Sequence, residues 1–287
     1  MFASTARLAR QARDEGYAVA AVNILDDLSL RAVVAAAAAT SSPVIIQVSV
    51  KTVRSTGVEL LTTMVRLAAA DAPVPVALHL DHCPYRDVIS AVVAAGWSSV
   101  LFDASDRDLA TAERETAEVC AEAHAAGVDV ESEIENIVGV EDDIGSDEAV
   151  HAYSVQTLVD VAARTGADLI APQLGTAHGL YTHDPVLLPE RVRELVALTD
   201  RPVVLHGGTG LSDEDFRAFI DAGVSKINIS TGLKLAYMRA AQAHTAKAEQ
   251  TGRWDPPSMF ADISAAVQAE VAGHLHRFGS AGRVEGR

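Results

Sequence analysis

Eight short apolar runs rich in β-branched residues alternate with eight amphipathic runs, and nothing else in the chain restricts its fold so strongly. The runs Tyr17–Val22, Pro43–Ser49, Val74–His82, Ser98–Asp103, Val128–Glu133, Asp168–Leu174, Pro202–His206 and Lys226–Ser230 read as strands. Helical spacing follows each in turn, over Leu28–Thr40, Val58–Ala70, Asp87–Ala95, Leu109–Ala126, Val155–Thr165, Pro189–Thr199, Asp213–Ala222 and Leu233–Gln250. Strands that alternate with helices form a parallel sheet. Eight such units closing on themselves make an α/β structure of the (β/α)8 TIM-barrel type. An open doubly wound sheet is the competitor, but no G-x-G-x-x-G follows the first strand. No Pro- or Gly-rich linker divides the 287 residues, so one barrel domain over 1–287 is expected. A C-terminal helical extension, about 256–287, would hold one more helix over Met259–Phe278.

Charge narrows the partners. A formal net charge of -16 repels polyphosphate surfaces, which argues against nucleic acid and anionic membranes while leaving a small phosphorylated ligand open. No segment supplies the ~20 apolar residues of a spanning helix, and the alanine-rich run from Ala32 to Ala39 is too short. The stretch from Met1 to Gly16 carries Asp14 and Glu15 and has no apolar signal core. Cys83 and Cys120 make no disulfide framework. A cytoplasmic protein is expected.

A barrel enzyme assembles its site at the C-terminal ends of the strands. Those ends carry, in order, Asn23, Ser49, Asp81 with His82, Asp103, Glu133, His178 after the sixth strand, His206, and Asn228 with Ser230 and Thr231. A polar group at every strand end is not what a random surface gives. His82, His178 and His206 come from three separate strand ends that a barrel aims into one mouth. Three imidazoles with an open position describe a catalytic zinc site. His79 precedes His82 by three residues, so strand alternation points it to the opposite face in a structural role. His124, His151 and His183 look incidental.

Glycine-rich loops flank two of these histidines, Gly175-Thr176-Ala177-His178-Gly179 and His206-Gly207-Gly208-Thr209-Gly210. Glycine lets backbone N–H groups approach an anion closely. The helix starting near Thr231 adds its N-terminal dipole. Together they read as a phosphate grip.

Four ordered stretches, His-Leu-Asp-His at 79–82, Gly-Thr-Ala-His-Gly at 175–179, His-Gly-Gly-Thr-Gly at 206–210 and Lys-Ile-Asn-Ile-Ser-Thr at 226–231, resemble the class II fructose-bisphosphate/tagatose-bisphosphate aldolases. The similarity extends to Pro-Val-Ile-Ile-Gln-Val-Ser at 43–49 and Phe-Gly-Ser-Ala-Gly at 278–282. This resemblance implies a zinc-dependent barrel lyase that reversibly cleaves fructose 1,6-bisphosphate, or tagatose 1,6-bisphosphate, into dihydroxyacetone phosphate and glyceraldehyde 3-phosphate. A relative acting on 6-phospho-5-dehydro-2-deoxy-gluconate is the alternative. It further implies His82, His178 and His206 as zinc ligands, with Asp103 and Glu133 at a second metal position. Asp81 matches the carboxylate that exchanges a proton with the substrate oxygen, and Glu141 the one that moves the proton on carbon. Asn228 matches a group at the reacting centre, and Asn23, Ser49, Gly179, Gly207, Gly208, Thr209, Asn228, Ser230 and Thr231 fall at substrate-binding positions. A monovalent cation beside the phosphate and a homo-oligomer, dimer or tetramer, are also implied.

Two departures bear on the aldehyde side of the substrate. Glu135 stands where the family commonly has glycine, and Val50-Lys51-Thr52-Val53-Arg54-Ser55 replaces a small residue followed by an aromatic. Lys51 and Arg54, or a neighbouring subunit's Arg277 or Arg283, are candidates for holding a distal anion. A Schiff-base route needs a lysine inside the barrel. The chain has only Lys51, Lys226, Lys234 and Lys247, and Lys226 at the start of the eighth strand would lie at the wrong end. A zinc-dependent barrel hydrolase is the remote alternative. The first strand ends in Val22-Asn23-Ile24, without the His-x-His such hydrolases often carry there, and the glycine loops would serve no purpose.

Overall fold

Period-two side chains and two buried faces shape the strands of the barrel. The computed structural model describes residues 2–142, 144–146, 151–181 and 184–284. The elements run α1 (Thr5–Glu15), β1 (Val19–Asn23), α2 (Asp27–Ala39), β2 (Val44–Ser49), α3 (Val50–Thr56), α4 (Val58–Ala70), β3 (Val76–Cys83) and α5 (Arg86–Ala94). They continue with β4 (Ser99–Asp103), α6 (Leu109–Ala125), β5 (Asp129–Glu133), β6 (Gly139–Glu141), β7 (Ile144–Ser146), α7 (Val155–Thr165), β8 (Leu169–Ile170) and α8 (Pro189–Leu198). Last come β9 (Val203–Leu205), α9 (Asp213–Ala222), β10 (Val224–Ile229), α10 (Thr231–Thr251) and α11 (Pro256–Arg277). Strands β1, β2, β3, β4, β5, β8, β9 and β10 close into a barrel in that order, every neighbouring pair parallel. This is the TIM barrel expected from the alternation, with its added C-terminal helix.

Outward-facing Val44, Ile46, Val48, Leu78, Leu80, Val100, Phe102, Ile227 and Ile229 join the main hydrophobic core between barrel and helices. Inward-facing residues change character along the axis. The lower tier is apolar, with Val19, Ala21, Ile45, Ala77, Leu169 and Val204 packed against α1. Nothing in the sequence reading anticipated α1. Its apolar face, Leu8, Ala9 and Ala12, plugs the barrel floor, and burying Leu8 contributes ~1.5–3 kcal/mol. Ser4 caps its N-terminus by accepting from Arg7 N, and Gly16 closes the other end in the left-handed region. Thr5 Oγ1 meets Ser99 Oγ at 2.6 Å on the floor itself.

Several expected boundaries shift. The sixth strand, read as Asp168–Leu174, is regular only over Leu169–Ile170, because its continuation bends away towards His178. The stretch after β2 forms helix α3 over Val50–Thr56, whose N-cap Ser49 accepts from Thr52 N. Glu141 ends the first strand of the hairpin β6–β7. The C-terminal helix begins at Pro256, three residues earlier than expected, because proline suits a first helical turn. Its Val267, Val271 and Leu275 are buried in the main core. Ala18 N donates to Phe278 O, which ties the end of this extension to the start of the barrel.

Candidate active site

At the upper end of the barrel the inward positions become polar, and β3 decides which side chains enter. Ala77, His79 and Asp81 face inward by alternation, so His82 would face out. It does not. Its φ of +31° marks a bulge, and the pairing of β3 with β4 slips between Leu80 and Cys83. A bulge resets the alternation. Both histidines therefore point into the barrel, which corrects the expectation that His79 faces away. His79 is fully buried, meets Ser99 Oγ at 2.7 Å through Nδ1, and sets Nε2 3.8 Å from Glu131 Oε2.

His82, His178 and His206 do come together. Each offers a ring nitrogen within 4.8 Å of the others. The His82 ring centroid is 4.9 Å from that of His178 and 4.7 Å from that of His206. His206 Nδ1 and His82 Nε2 face each other at 2.9 Å. Their outward nitrogens are engaged by carboxylates: His82 Nδ1 lies 3.2 Å from Asp103 Oδ2, and His206 Nε2 lies 2.9 Å from Glu131 Oε1. An imidazole tied outward to a carboxylate presents its inner lone pair, the usual arrangement around a bound metal. Glu133 Oε2, buried and without a hydrogen-bond partner among the described residues, lies 3.3 Å from His206 Nδ1 and 3.7 Å from His82 Nδ1. His82, Asp103 and Glu133 make a second ligand group sharing one histidine. The donor set fits a divalent ion.

The charge balance points the same way. Burial alone would lower the His82 pKa, but the carboxylates of Glu133, Asp81 and Asp103 outweigh it and raise it well above the ordinary imidazole value. Burial, with Asp103, Glu131 and Asp81 close by, raises Glu133 well above the carboxylate range. Burial lowers His206 to about 4 despite its bond to Glu131. Asp103 resists burial through its bonds to His82 and Ser105 and falls to about 2. A ligating imidazole must be neutral. Zinc affinity is therefore expected to keep rising with pH past ~6.5, the ordinary histidine value, because each ion bound displaces the His82 proton. His206 is already neutral there and adds no slope. Chelator-competition titrations from pH 6 to 9 check this, and an affinity flat above pH 7 would contradict it.

Asp81 stands beside this cluster, Oδ1 3.9 Å from His82 Nε2. Asn23 Nδ2 donates to its Oδ2 at 2.8 Å and Asn228 Nδ2 approaches its Oδ1 at 3.4 Å. Asn23 is held in turn by Gln47 Nε2 at 2.7 Å. The glycine loops meet at the same end. Gly207 has φ +68°, and a Cβ there would overlap the Ala177 carbonyl, one residue before His178. Gly207→Ala is therefore expected to cost about 1–3 kcal/mol and to weaken metal binding by displacing His178, read as a lower Tm and a higher zinc Kd. Ser230 Oγ is buried without a hydrogen-bond partner among the described residues, and Thr209 Oγ1 accepts from Gly232 N at 3.3 Å beside the start of α10. Gly179 lies in the His178 loop with φ +84°, and Gly208 packs against Phe216. Ser49 and Thr231 sit where their elements turn, at the N-cap of α3 and the first residue of α10.

Other expected residues fall elsewhere. The Glu141 side chain and His183 lie outside the described residues. His124 pairs with Asp168 at 2.8 Å and His151 stacks on Tyr153, both away from the cluster. Glu135 is fully buried and accepts from Tyr153 N at 2.7 Å, Gln173 N at 3.0 Å and Arg191 Nη2 at 2.7 Å. This departure from glycine thus braces the segments around the mouth. Lys51 and Arg54 ride on α3, with the Arg54 guanidinium 4.2 Å from the Tyr85 ring centre. Within this chain Arg277 pairs with Asp213, and Arg283 with Glu15. Lys226 was misplaced by sequence. β10 starts two residues earlier, at Val224, and Lys226 is fully buried inside the barrel, 2.8 Å from Glu131 Oε2. Sequence reading also missed Gln47 and Glu131. Gln47, Glu131 and Lys226 precede Ser49, Glu133 and Asn228 by two residues, so period-two alternation would have found this lower polar tier.

Comparison with known proteins agrees with the geometry. A family model described as fructose-bisphosphate aldolase class-II matches residues 3–283. The fructose-bisphosphate aldolase of Geobacillus stearothermophilus is 36% identical over 271 residues, 93% of each chain. The sulfofructosephosphate aldolase of Alkalicoccus urumqiensis is 35% identical over 226 residues, 78% of each chain. Among solved structures, the YdjI aldolase from Escherichia coli K12 superposes with a TM-score of 0.84 at 28% identity, covering 99% of this chain and all of that one.

Proposed function

The chain belongs to the class II fructose-bisphosphate aldolase family, and from that premise we propose that it reversibly splits a ketose 1,6-bisphosphate into dihydroxyacetone phosphate and glyceraldehyde 3-phosphate. The convergence of His82, His178 and His206 beside Asp81 carries this reading. Zinc is the ion this set suits best, with a monovalent cation by the phosphate. A divalent ion held by the three histidines supplies the positive charge that stabilises the electrons left on carbon when the C–C bond breaks.

The chain's own groups do the rest. Asp81, oriented by Asn23 and Asn228, takes the proton from the hydroxyl on the carbon that becomes the aldehyde. Glu141 returns a proton to the ketone-derived carbon. Ser230, Thr231, Thr209 and the backbone of Gly179, Gly207 and Gly208 surround the phosphate of the ketone half. Gly207 has to be glycine for that approach, since its backbone packs directly on Ala177. Helix α3, carrying Lys51 and Arg54, faces the aldehyde half, where departure from the family pattern leaves most room for a different end group.

The test is a comparison of kcat/KM on fructose 1,6-bisphosphate, tagatose 1,6-bisphosphate, 6-phospho-5-dehydro-2-deoxy-gluconate and sulfofructose phosphate. A bisphosphate is expected to lead. A preference for the carboxylate or sulfonate compound would reassign the substrate without touching the chemistry. Met238, Trp254 and Phe260 are exposed on and between α10 and α11, which supports a homo-oligomer; light scattering after gel filtration tests it. Among the described residues no helix is long and apolar enough to cross a membrane, in keeping with a cytoplasmic enzyme.

A further inference from the structure

One buried ion pair below the mouth has no part in the chemistry above. Lys226 Nζ lies 2.8 Å from Glu131 Oε2, and neither side chain has any exposure. For stability alone, two apolar side chains of similar volume would serve as well, because taking both charges out of water offsets much of their attraction. The remaining contacts of the pair distinguish it. Glu131 Oε1 meets His206 Nε2 at 2.9 Å, while Lys226 Nζ donates to Asn228 Oδ1 at 2.8 Å. One partner touches a candidate metal ligand and the other a group that faces Asp81.

We propose that Lys226 and Glu131 are positioning residues that set the His206 tautomer and the Asn228 amide orientation together. This rests on reading His206 as a metal ligand and Asp81 as the proton carrier. The chemistry of each contact is one-directional. A carboxylate only accepts, so the nitrogen facing Glu131 carries the proton and His206 keeps its Nδ1 lone pair for the ion. An ammonium only donates, so only Oδ1 of Asn228 can face Lys226, and the amide NH2 must turn to Asp81. The two ends of an asparagine amide have nearly the same shape. Without the lysine, packing would not stop Asn228 from flipping and setting its oxygen against the Asp81 carboxylate. The shared ion pair locks the metal half of the site to its proton-transfer half.

Three variants of the full chain test this: Glu131→Gln, Lys226→Met and the double variant. Each is read by thermal unfolding, by zinc affinity in chelator competition, by the visible spectrum of the cobalt(II)-loaded protein, and by kcat and KM on the best bisphosphate. In Glu131→Gln, the lysine claims the new amide oxygen and leaves NH2 facing His206 Nε2, which drives the proton to Nδ1. Zinc affinity is expected to fall ~10–100-fold with a changed cobalt spectrum. In the double variant the glutamine oxygen is free to accept from His206. Zinc affinity and the cobalt spectrum are expected to return to within ~3-fold of wild type and to its band shape, while kcat stays at least ~10-fold low because Asn228 is unfixed. Lys226→Met is expected to show the same low kcat with KM little changed. If either single variant fails to fold, the charge-neutral double variant still decides. Zinc affinity as weak in the double variant as in Glu131→Gln, or a double-variant kcat within ~3-fold of wild type, would overturn the proposal. Wild-type protein that binds no zinc or cleaves no bisphosphate would instead overturn the reading beneath it, which is a separate observation.

Discussion

Stripping the metal with a chelator, or replacing His206 by alanine, is expected to cut cleavage by roughly 10³-fold or more. A metal acting as Lewis acid supplies several kcal/mol of charge stabilisation, and each ~1.4 kcal/mol is a factor of ten in rate. The chain's four lysines offer no substitute for that charge. Lys226, the lysine nearest the reacting region by burial, spends its donors on Glu131 and Asn228. Lys51, Lys234 and Lys247 sit on α3 and α10, outside the barrel interior. The two treatments should part on add-back. Zinc restores the chelated wild type, whereas His206→Ala stays inactive because the imidazole and its Glu131 tether are gone. A coupled assay of triose phosphate release, with metal content measured on the same samples, checks both. Full turnover in the presence of EDTA would remove the metal from the account.

Asp81→Asn is expected to lower kcat by ~10²–10⁴-fold, the range of a lost general acid or base, with zinc still bound. The substitution keeps shape but replaces an oxygen that accepts from Asn23 or Asn228 with an NH2 that cannot. One of the two asparagines then faces a donor. His82 and His206 keep their outer contacts to Asp103 and Glu131, so metal content should match wild type. A variant that lost zinc along with activity would show Asp81 to be a support for His82 rather than a proton carrier. The two predictions therefore separate charge stabilisation from proton transfer, through different residues of one mouth.

Much of this was legible in the chain. Eight strand–helix alternations gave the barrel, and the polar residues at the strand ends gave the mouth. The positions of His82, His178 and His206 at three such ends suffice to bring them together. What failed was orientation. His79 was turned outward because alternation was carried unbroken to His82, whereas the bulge at φ +31° admits both. Lys226 was set at the wrong end because its strand was started two residues late. Helix α1 went unread because its sequence lies before the first strand and outside the repeating pattern, yet it closes the barrel floor.

By itself, then, the sequence determined the order of elements, the class of fold and which residue types reach the catalytic end, since hydrophobic periodicity and strand polarity are local properties. The tertiary structure alone decided which nitrogens of His82 and His206 face inward, which carboxylates hold them, and that a buried Lys226–Glu131 pair joins His206 to Asn228. Those choices depend on groups 75 and 124 residues distant from His206 in the chain. Only closure of the barrel brings such groups within hydrogen-bonding distance, where burial makes an unpaired donor or acceptor costly.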